Sequence, residues 1–178
     1  GLATLGGLTG DGERVLQHLE QAERLADDLQ SPVMRVHTDE IAMQYAFASG
    51  SWDAGVALSE RTIAIARALN QRTLLPRLLV WATQFYTAGG EYELAKAYLD
   101  EAWELGVARA ARGRPIEVHS QVAVYAGLAG YYLAVGEYGK AVEVGEEGIA
   151  IADRPGYMVW ATYRLLPVTA EAAFYKRD

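Results

Sequence analysis

A glycine-centred pattern that recurs at a nearly constant spacing constrains the fold of this 178-residue chain more than any other feature. The glycines are Gly10, Gly50, Gly90 and Gly136, separated by 40, 40 and 46 residues. The positions two, five and twelve residues after them hold Gly12, Trp52, Tyr92 and Tyr138, then Val15, Gly55, Ala95 and Ala141, then Ala22, Thr62, Ala102 and Gly148. Because aromatic and small residues recur there independently of the glycines, the chain contains an internal repeat with a degenerate first copy.

The elements of this repeat are predicted to be helices. No alternation of apolar and polar residues runs long enough for a strand, whereas apolar residues three and four apart recur along the chain. The sequence therefore predicts an all-α protein. Its predicted helices span 11–29, 32–48, 52–69, 72–88, 92–110, 116–134, 138–152 and 157–175. Pro76 falls near the start of its helix, whereas Pro167 is expected to bend or break its own.

Each anchor glycine is predicted to end one helix in the left-handed conformation, so that an antiparallel helix begins directly after it. The small residues that follow are seven apart, nearly two turns, and share a face that lets helices approach closely. Since an isolated hairpin cannot bury both faces, the pairs are expected to stack into a single repeat domain. Its copies lie near 1–30, 31–70, 71–111 and 112–154, with a partial copy at 155–178.

The two ends of the sequence lead to one further prediction. The sequence does not begin with Met, and its last helical pattern runs to the end without a Gly or Pro stop signal. We therefore expect this domain to be a fragment of a longer protein.

The repeat resembles the tetratricopeptide repeat (TPR), whose signature is a small residue, Tyr, Gly-x-Tyr and two spaced alanines. The matching residues are Ala82, Tyr86, Gly90, Tyr92, Ala95 and Ala102, then Leu128, Tyr132, Gly136, Tyr138, Ala141 and Gly148, and more loosely Ala42, Ala46, Gly50, Trp52, Gly55 and Thr62. The resemblance implies a right-handed α-solenoid of stacked antiparallel helix pairs. The 40-residue period exceeds the usual TPR length and is similar to that of repeats in bacterial LuxR-type and related multidomain ATPase regulators.

The resemblance also implies a function. It implies a noncatalytic scaffold for protein–protein association, used as the sensor or coupling segment of a bacterial signalling or transcription regulator. The first helix of each pair then lines a concave groove that takes a protein or peptide. The residues placed there are His37, Glu40, Gln44 and Phe47, then Arg77, Val80, Gln84 and Thr87, then Ala123, Ala126, Gly130 and Leu133.

The residues of this groove disfavour one kind of partner and leave one alternative open. Glu40 and Gln44 stand where some TPR domains carry the Lys and Asn that clamp a carboxylate, so binding of chaperone tails is disfavoured. A small-molecule effector is the alternative to a protein partner. Its pocket would lie in the apolar part of the groove near Tyr125, Gly130 and Leu133, where missing side chains leave room.

Composition excludes several classes of function. The chain has no cysteine, which excludes disulfides, thiol nucleophiles and thiolate metal sites. Its formal net charge of -7 argues against direct binding of nucleic acid, which requires clustered Lys and Arg. No apolar run approaches the ~18 residues of a membrane span. With no secretion signal present, we predict a cytoplasmic location and no membrane partner.

No residue pattern predicts catalysis, a cofactor or a metal site. The glycine-rich start lacks the lysine of a phosphate loop. His37 and Glu40 are three apart on a predicted helix, but two ligands are too few, and His18 and His119 lie in other helices. Two charged runs remain. Glu143, Glu146 and Glu147 are predicted to form a solvated face. Arg109, Arg112 and Arg114 are predicted to cap a helix or to contact an anion or acidic partner.

The predicted last helix, 157–175, lacks a partner helix in this alignment. Its apolar residues are Trp160, Tyr163, Leu165, Leu166, Ala170 and Phe174. A terminal repeat without a polar outer face requires a cover. We therefore expect a homodimer through this helix, with two-fold symmetry.

Overall fold

A computed structural model describes residues 12–108, 117–153 and 164–176, and these residues form helices and turns without a β-strand. The predicted all-α class is therefore confirmed. Within these ranges there are eight α-helices: α1 (Gly12–Asp28), α2 (Pro32–Ala48), α3 (Trp52–Ala68), α4 (Leu75–Ala88), α5 (Tyr92–Trp103), α6 (Val118–Ala134), α7 (Tyr138–Ala152) and α8 (Leu166–Tyr175).

Two helix boundaries differ from the prediction by three or more residues, and Pro167 has a different role from the one expected. Helix α4 begins at Leu75 rather than at 72, with Pro76 in its first turn, where its missing N–H costs no hydrogen bond. Helix α5 ends at Trp103 and continues as a π-helical segment, Glu104–Ala108. Pro167 lies in the first turn of α8, so it marks a helix start rather than a bend. The predicted stretch 157–163 lies outside the described residues.

The chain divides into two compact units, Gly1–Gln71 and Arg72–Asp178. In the first unit, α2 packs against α1 and α3. In the second unit, α4 packs against α5 and α6, α6 packs against α7, and α8 packs against both α6 and α7. No helix among the described residues is long and apolar enough to cross a membrane.

The anchor glycines adopt the predicted backbone conformation. Gly50, Gly90 and Gly136 have φ of +73°, +79° and +79°. Gln30 and Asn70, which join one helix pair to the next, are also left-handed, with φ of 46° and 54°. After all five residues, the next N–H donates to the carbonyl five residues earlier at 2.9 Å, which closes the helix end. Each turn therefore satisfies its own backbone.

The small residues allow the close approach that their spacing predicted. A Cβ on Gly148 of α7 would lie 2.7 Å from the Cβ of Tyr125 and 2.9 Å from Leu165 Cδ1, closer than side chains tolerate. A further column of small buried residues was not predicted. It consists of Ala26, Ala66, Gly106 and Ala152. A Cβ on Gly106 would lie 2.9 Å from Val124 Cγ2, so this column also sets the distance between helices.

Candidate binding surface on the first helix of each repeat

In the first unit, the predicted surface lies on α2. His37 is exposed, and Glu40, Gln44 and Phe47 are half-buried. Spacings of three, four and three residues place all four on one side of the helix. The Phe47 ring contacts the Trp52 ring edge-on, with centroids 5.1 Å apart and an interplanar angle of 86°. This side of α2 therefore presents polar groups next to an aromatic pair.

In the second unit, the predicted residues of α4 divide into surface and core. Arg77 and Gln84, seven residues apart, are half-buried and share a side of the helix. Val80 is 0% exposed. A Cβ on Gly127 of α6 would lie 3.0 Å from Val80 Cγ1, so Val80 packs into the α4–α6 contact. The expectation that Val80 lines the groove is therefore corrected.

Thr87, the last predicted residue of α4, is half-buried. Its Oγ1 is the one buried side-chain polar atom without a hydrogen-bond partner among the residues that the structure describes. A buried hydroxyl without a partner forfeits about 1–3 kcal/mol. A ligand that offers a donor or acceptor to Thr87 would recover part of that free energy.

The residues predicted on α6 also divide in two. Ala123 and Ala126 are only 2% and 4% exposed, so they belong to the core and not to an open groove. Gly130 and Leu133 are half-buried and reach the surface. A Cβ on Gly130 would meet nothing within 4 Å, so open space lies over it. The apolar part of the surface is thus smaller than predicted.

A polar cluster joins the first turns of α4 and α6. Arg77 Nη1 donates to Glu117 Oε2 at 3.0 Å and lies 3.4 Å from His119 Nδ1. Ser120 Oγ donates to the Thr73 carbonyl at 2.8 Å and lies 3.3 Å from Glu117 Oε2. The Arg77 side chain is 11% exposed. Glu117 neutralises and orients this guanidinium, so the cluster offers directed polar groups rather than a bare positive charge.

A cation–π contact joins α4 to the residues that lead into α8. The guanidinium carbon of Arg164 lies 4.1 Å from the centroid of the Trp81 ring. Trp81 is 5% exposed, so the contact is largely desolvated and stronger than a surface contact. Sequence reasoning missed this pair, and neither periodicity nor repeat register relates the two residues.

The first unit contains a buried carboxylate that was also missed. Asp39 of α2 is 1% exposed. Its Oδ2 accepts from Thr62 Oγ1 at 2.9 Å and from Arg61 Nη2 at 3.3 Å, and its Oδ1 accepts from Arg35 Nε at 3.3 Å. Three donors, two of them charged, thus surround a carboxylate that can accept about four hydrogen bonds. All of its oxygens are satisfied, which indicates a structural role.

Arg35 extends this cluster towards α1. Besides Asp39, it contacts Asp27 at 3.1 Å and Glu23 at 3.7 Å. Partial burial acts to lower the pKa of Arg35, but the nearby carboxylates, Asp39 first among them, raise that pKa above its ordinary value. The sequence held a signal for the cluster, since the positions equivalent to Asp39 in the later copies are Leu79 and Tyr125.

The residues considered for other chemistry are dispersed. No group of three or more His, Asp or Glu side chains within the described ranges could hold a metal ion. Glu143, Glu146 and Glu147 are exposed. Tyr125, placed in the alternative small-molecule pocket, packs in the core at 6% exposure against Trp103, with ring centroids 5.5 Å apart. Arg109, Arg112 and Arg114 lie outside the described residues.

No protein-family model matches the chain, and no curated protein matches it. Among solved structures, the chain is similar to a crystal structure of nearly identical TPR-like repeats from a Podosopora anserina putative kinesin light chain. The TM-score is 0.60 at 20% sequence identity, and the similarity covers 99% of this chain and 94% of that chain. At this identity the similarity shows the fold alone. The chain therefore has an all-α fold of TPR-like helical repeats.

Proposed function

We propose that this protein is a noncatalytic scaffold that binds a protein or peptide partner along the first helices of its repeats. The TPR-like fold carries this proposal, because such repeats commonly mediate protein association. The surfaces described above support it. On α2 and α4, the glutamines Gln44 and Gln84 occupy equivalent register positions, 40 residues apart. A glutamine amide both donates and accepts, as recognition of a peptide backbone requires.

Selection of peptides from a random library displayed on phage tests this proposal. Peptides that bind the wild-type chain should bind the Gln44→Ala and Gln84→Ala variants at least about tenfold more weakly, a loss of about 1.4 kcal/mol. Asp53→Ala on α3 and Glu93→Ala on α5 are the matched controls, since both residues are exposed on second helices of the same units. Equal binding by all four variants would contradict the proposed surface.

A small-molecule effector is the second candidate, favoured by the open space over Gly130 and by the unpaired hydroxyl of Thr87. A panel of small aromatic and aliphatic metabolites would then raise the Tm of the wild-type chain. Gly130→Leu would fill that space and abolish the rise in Tm for the active compound. Peptide selection that yields no binder, together with such a compound, would favour this function over the scaffold.

The finer proposal is that the chain is the sensor or coupling segment of a bacterial signalling or transcription regulator. It rests on the repeat period of 40 residues, which is longer than the usual TPR. The gene that encodes the chain tests it directly. An ATPase module or a DNA-binding module in the same reading frame is expected, and a reading frame without either would contradict this role.

A further inference from the structure

One threonine of α4 departs from the pattern that its counterparts on α2, α4 and α8 follow. Thr38, Thr83 and Thr169 each donate to the carbonyl four residues earlier, at 3.0, 3.0 and 2.8 Å. Thr87 makes no such bond, and its buried Oγ1 has no hydrogen-bond partner within the described part of the chain. Helix α4 offers Thr87 the carbonyl of Thr83 in the same way. The unpaired hydroxyl therefore does not follow from helix geometry.

The Thr87 hydroxyl is costly where it is and can move. Burying a hydroxyl without a partner gives up its hydrogen bonds to water, so such groups are rare in native proteins. A threonine in a helix has two populated χ1 rotamers. Thr87 is half-buried as a residue, although its Oγ1 is buried. A turn about χ1 therefore repositions the hydroxyl while the helix stays in place.

Thr87 lies on the side of α4 that packs against α6. Val80, seven residues earlier and hence on the same side, would be 3.0 Å from a Cβ on Gly127. The two helices run in the same direction, because a polar cluster joins their first turns and Val80 meets Gly127 further along both. Thr87 is therefore beside the last turns of α6, at the end of the candidate surface where space is open over Gly130.

The residues of the candidate surface at this end carry no charge. They are Gln84 and Thr87 of α4 and Gly130 and Leu133 of α6. Such residues form no ion pair with a partner, so recognition there depends on neutral hydrogen bonds and apolar contact. A hydroxyl donates as well as accepts, and it can bond a main-chain carbonyl or a main-chain N–H.

Gln84 and Thr87 are spaced to meet adjacent residues of one extended segment. They are three residues apart and are neighbours on the surface of α4. Three residues of helix rise about 4.5 Å, and one residue of an extended chain rises about 3.3 Å. A segment that runs along α4 would thus bring the main-chain groups of neighbouring residues to these two side chains.

We propose that the Thr87 hydroxyl is unpaired in the free protein and hydrogen-bonds the main chain of an extended peptide segment in the complex. The inference rests on the proposed scaffold function and names the chemistry that is recognised at this end of its surface. Binding returns the stabilisation that the free protein forgoes. Thr87 thus contributes to affinity at the expense of the stability of the α4–α6 contact.

The stability of the free chain is the first test and requires no partner. Thr87→Val replaces the hydroxyl with a methyl group of similar size, and it should raise the Tm by about 2–4 °C. Thr83→Val is the matched control one turn earlier, since the Thr83 hydroxyl donates to the Leu79 and Ala95 carbonyls at 3.0 and 3.3 Å. It should lower the Tm. An unchanged or lower Tm for Thr87→Val would show that the hydroxyl is already paired, for example with water, and would overturn the inference.

Peptide binding is the second test. Peptides selected on the wild-type chain should bind Thr87→Val about fivefold more weakly by isothermal titration calorimetry. Thr87→Ser keeps the hydroxyl and should bind like the wild type, as should Thr83→Val. Loss of binding in Gln84→Ala without loss in Thr87→Val would overturn this inference and leave the proposed function standing. A selection that yields no peptide would contradict the proposed function, and with it the assignment to a peptide.

Ester bonds placed one at a time in a bound peptide identify the group that Thr87 contacts. Each ester removes one main-chain N–H and weakens one carbonyl as an acceptor. At one position, the losses from the ester and from Thr87→Val should fail to add, because both remove the same hydrogen bond. Losses that add at every position would place the contact on a peptide side chain and overturn the main-chain assignment. A small amide that raises the Tm of the wild type but not of Thr87→Val, without any peptide binder, would assign the hydroxyl to a small-molecule effector instead.

Discussion

The two units place different chemistry at the same position of the repeat. In the first unit, Asp39 is buried against Arg35, Arg61 and Thr62. In the second unit, the equivalent residues are Leu79, at 0% exposure, and Tyr125. Asp39 and Tyr125 each contact the second helix of their own pair, through Thr62 and Gly148. The backbone pattern of the repeat is therefore compatible with an ionic core as well as with an apolar one.

The difference shows how each unit specifies its packing. In the first unit, directional hydrogen bonds orient the helices, and Arg35 extends them to α1 through Asp27. In the second unit, close packing orients the helices, since neighbouring side chains lie directly against glycines such as Gly145 and Gly148. A buried ion pair seldom exceeds an apolar core in stability but is costly to break. The first unit should thus tolerate loss of a charge less well than loss of volume.

Removal of the buried carboxylate should have the largest effect. Asp39→Ala removes the shared acceptor of Arg35, Arg61 and Thr62. The buried Thr62 hydroxyl left without a partner costs about 1–3 kcal/mol, and the lost hydrogen bonds to a charged group add to that cost. Hydrogen exchange measured by mass spectrometry should show faster exchange in peptides from residues 12–71. Peptides from residues 72–108 and 117–153 report on the second unit in the same sample.

A double variant sharpens this test. Asp39→Leu with Thr62→Ala gives the first unit the residues found at the equivalent positions Leu79 and Ala102. Arg35 and Arg61 are 31% and 56% exposed and can be rehydrated. The double variant should therefore recover most of the stability that Asp39→Ala loses. Equal destabilisation in both variants would show that the ionic cluster is not interchangeable with an apolar core.

Added volume should be costly in the second unit. Gly148→Ala places a methyl group 2.7 Å from Tyr125 Cβ, and overpacking of a tight core costs about 1–3 kcal/mol. Gly139→Ala, in the first turns of the same helix with open space around it, is the control. It should stabilise α7, by less than the ~0.5–1 kcal/mol that this change gives in the middle of a helix. Thermal melts of both variants test these two effects, and a lower Tm for Gly139→Ala would contradict this account of the packing.

The turns of the repeat differ from the helices in what a substitution does. Gly90→Val places a β-branched residue at φ +79° and should cost about 1–3 kcal/mol. Gly89→Ala, one residue earlier at φ -79°, should have little effect, because its Cβ would meet only ordinary contacts at 3.6 Å. Unchanged melts for Gly90→Val would contradict the role of the left-handed turn.

Most of the fold could be predicted from the positions of residues within the repeat. The turn glycines and the recurring small residues are local signals. They predicted the ends of α1 to α7 to within a few residues, except at the end of α5. The exception at the end of α5 has a physical reason. The π-helical segment Glu104–Ala108 places Gly106 against Val124, a contact that depends on a distant helix. Local periodicity contains no such information.

The candidate surface was less predictable for a related reason. Register placed Gln84 and Val80 on one side of α4, but burial of Val80 depends on the missing side chain of Gly127 across the α4–α6 contact. The Arg164–Trp81 contact depends on tertiary structure entirely. Asp39 could have been noticed, because the aligned copies have Leu79 and Tyr125 at the same repeat position. A single aberrant residue in a repeat column is therefore a signal worth pursuing.

The smallest expected effect lies in the turns between helix pairs. Gln30 and Asn70 occupy equivalent left-handed positions, and this conformation costs most residues about 1–2 kcal/mol, whereas Asn tolerates it. A glycine there relieves the strain but loses more backbone entropy on folding, by about 0.5–1 kcal/mol. Gln30→Gly should therefore stabilise the first unit slightly, whereas Asn70→Gly, which relieves no strain, should destabilise it slightly. Urea titrations that rank the two variants in the opposite order would show that the turn side chains contribute contacts beyond the backbone.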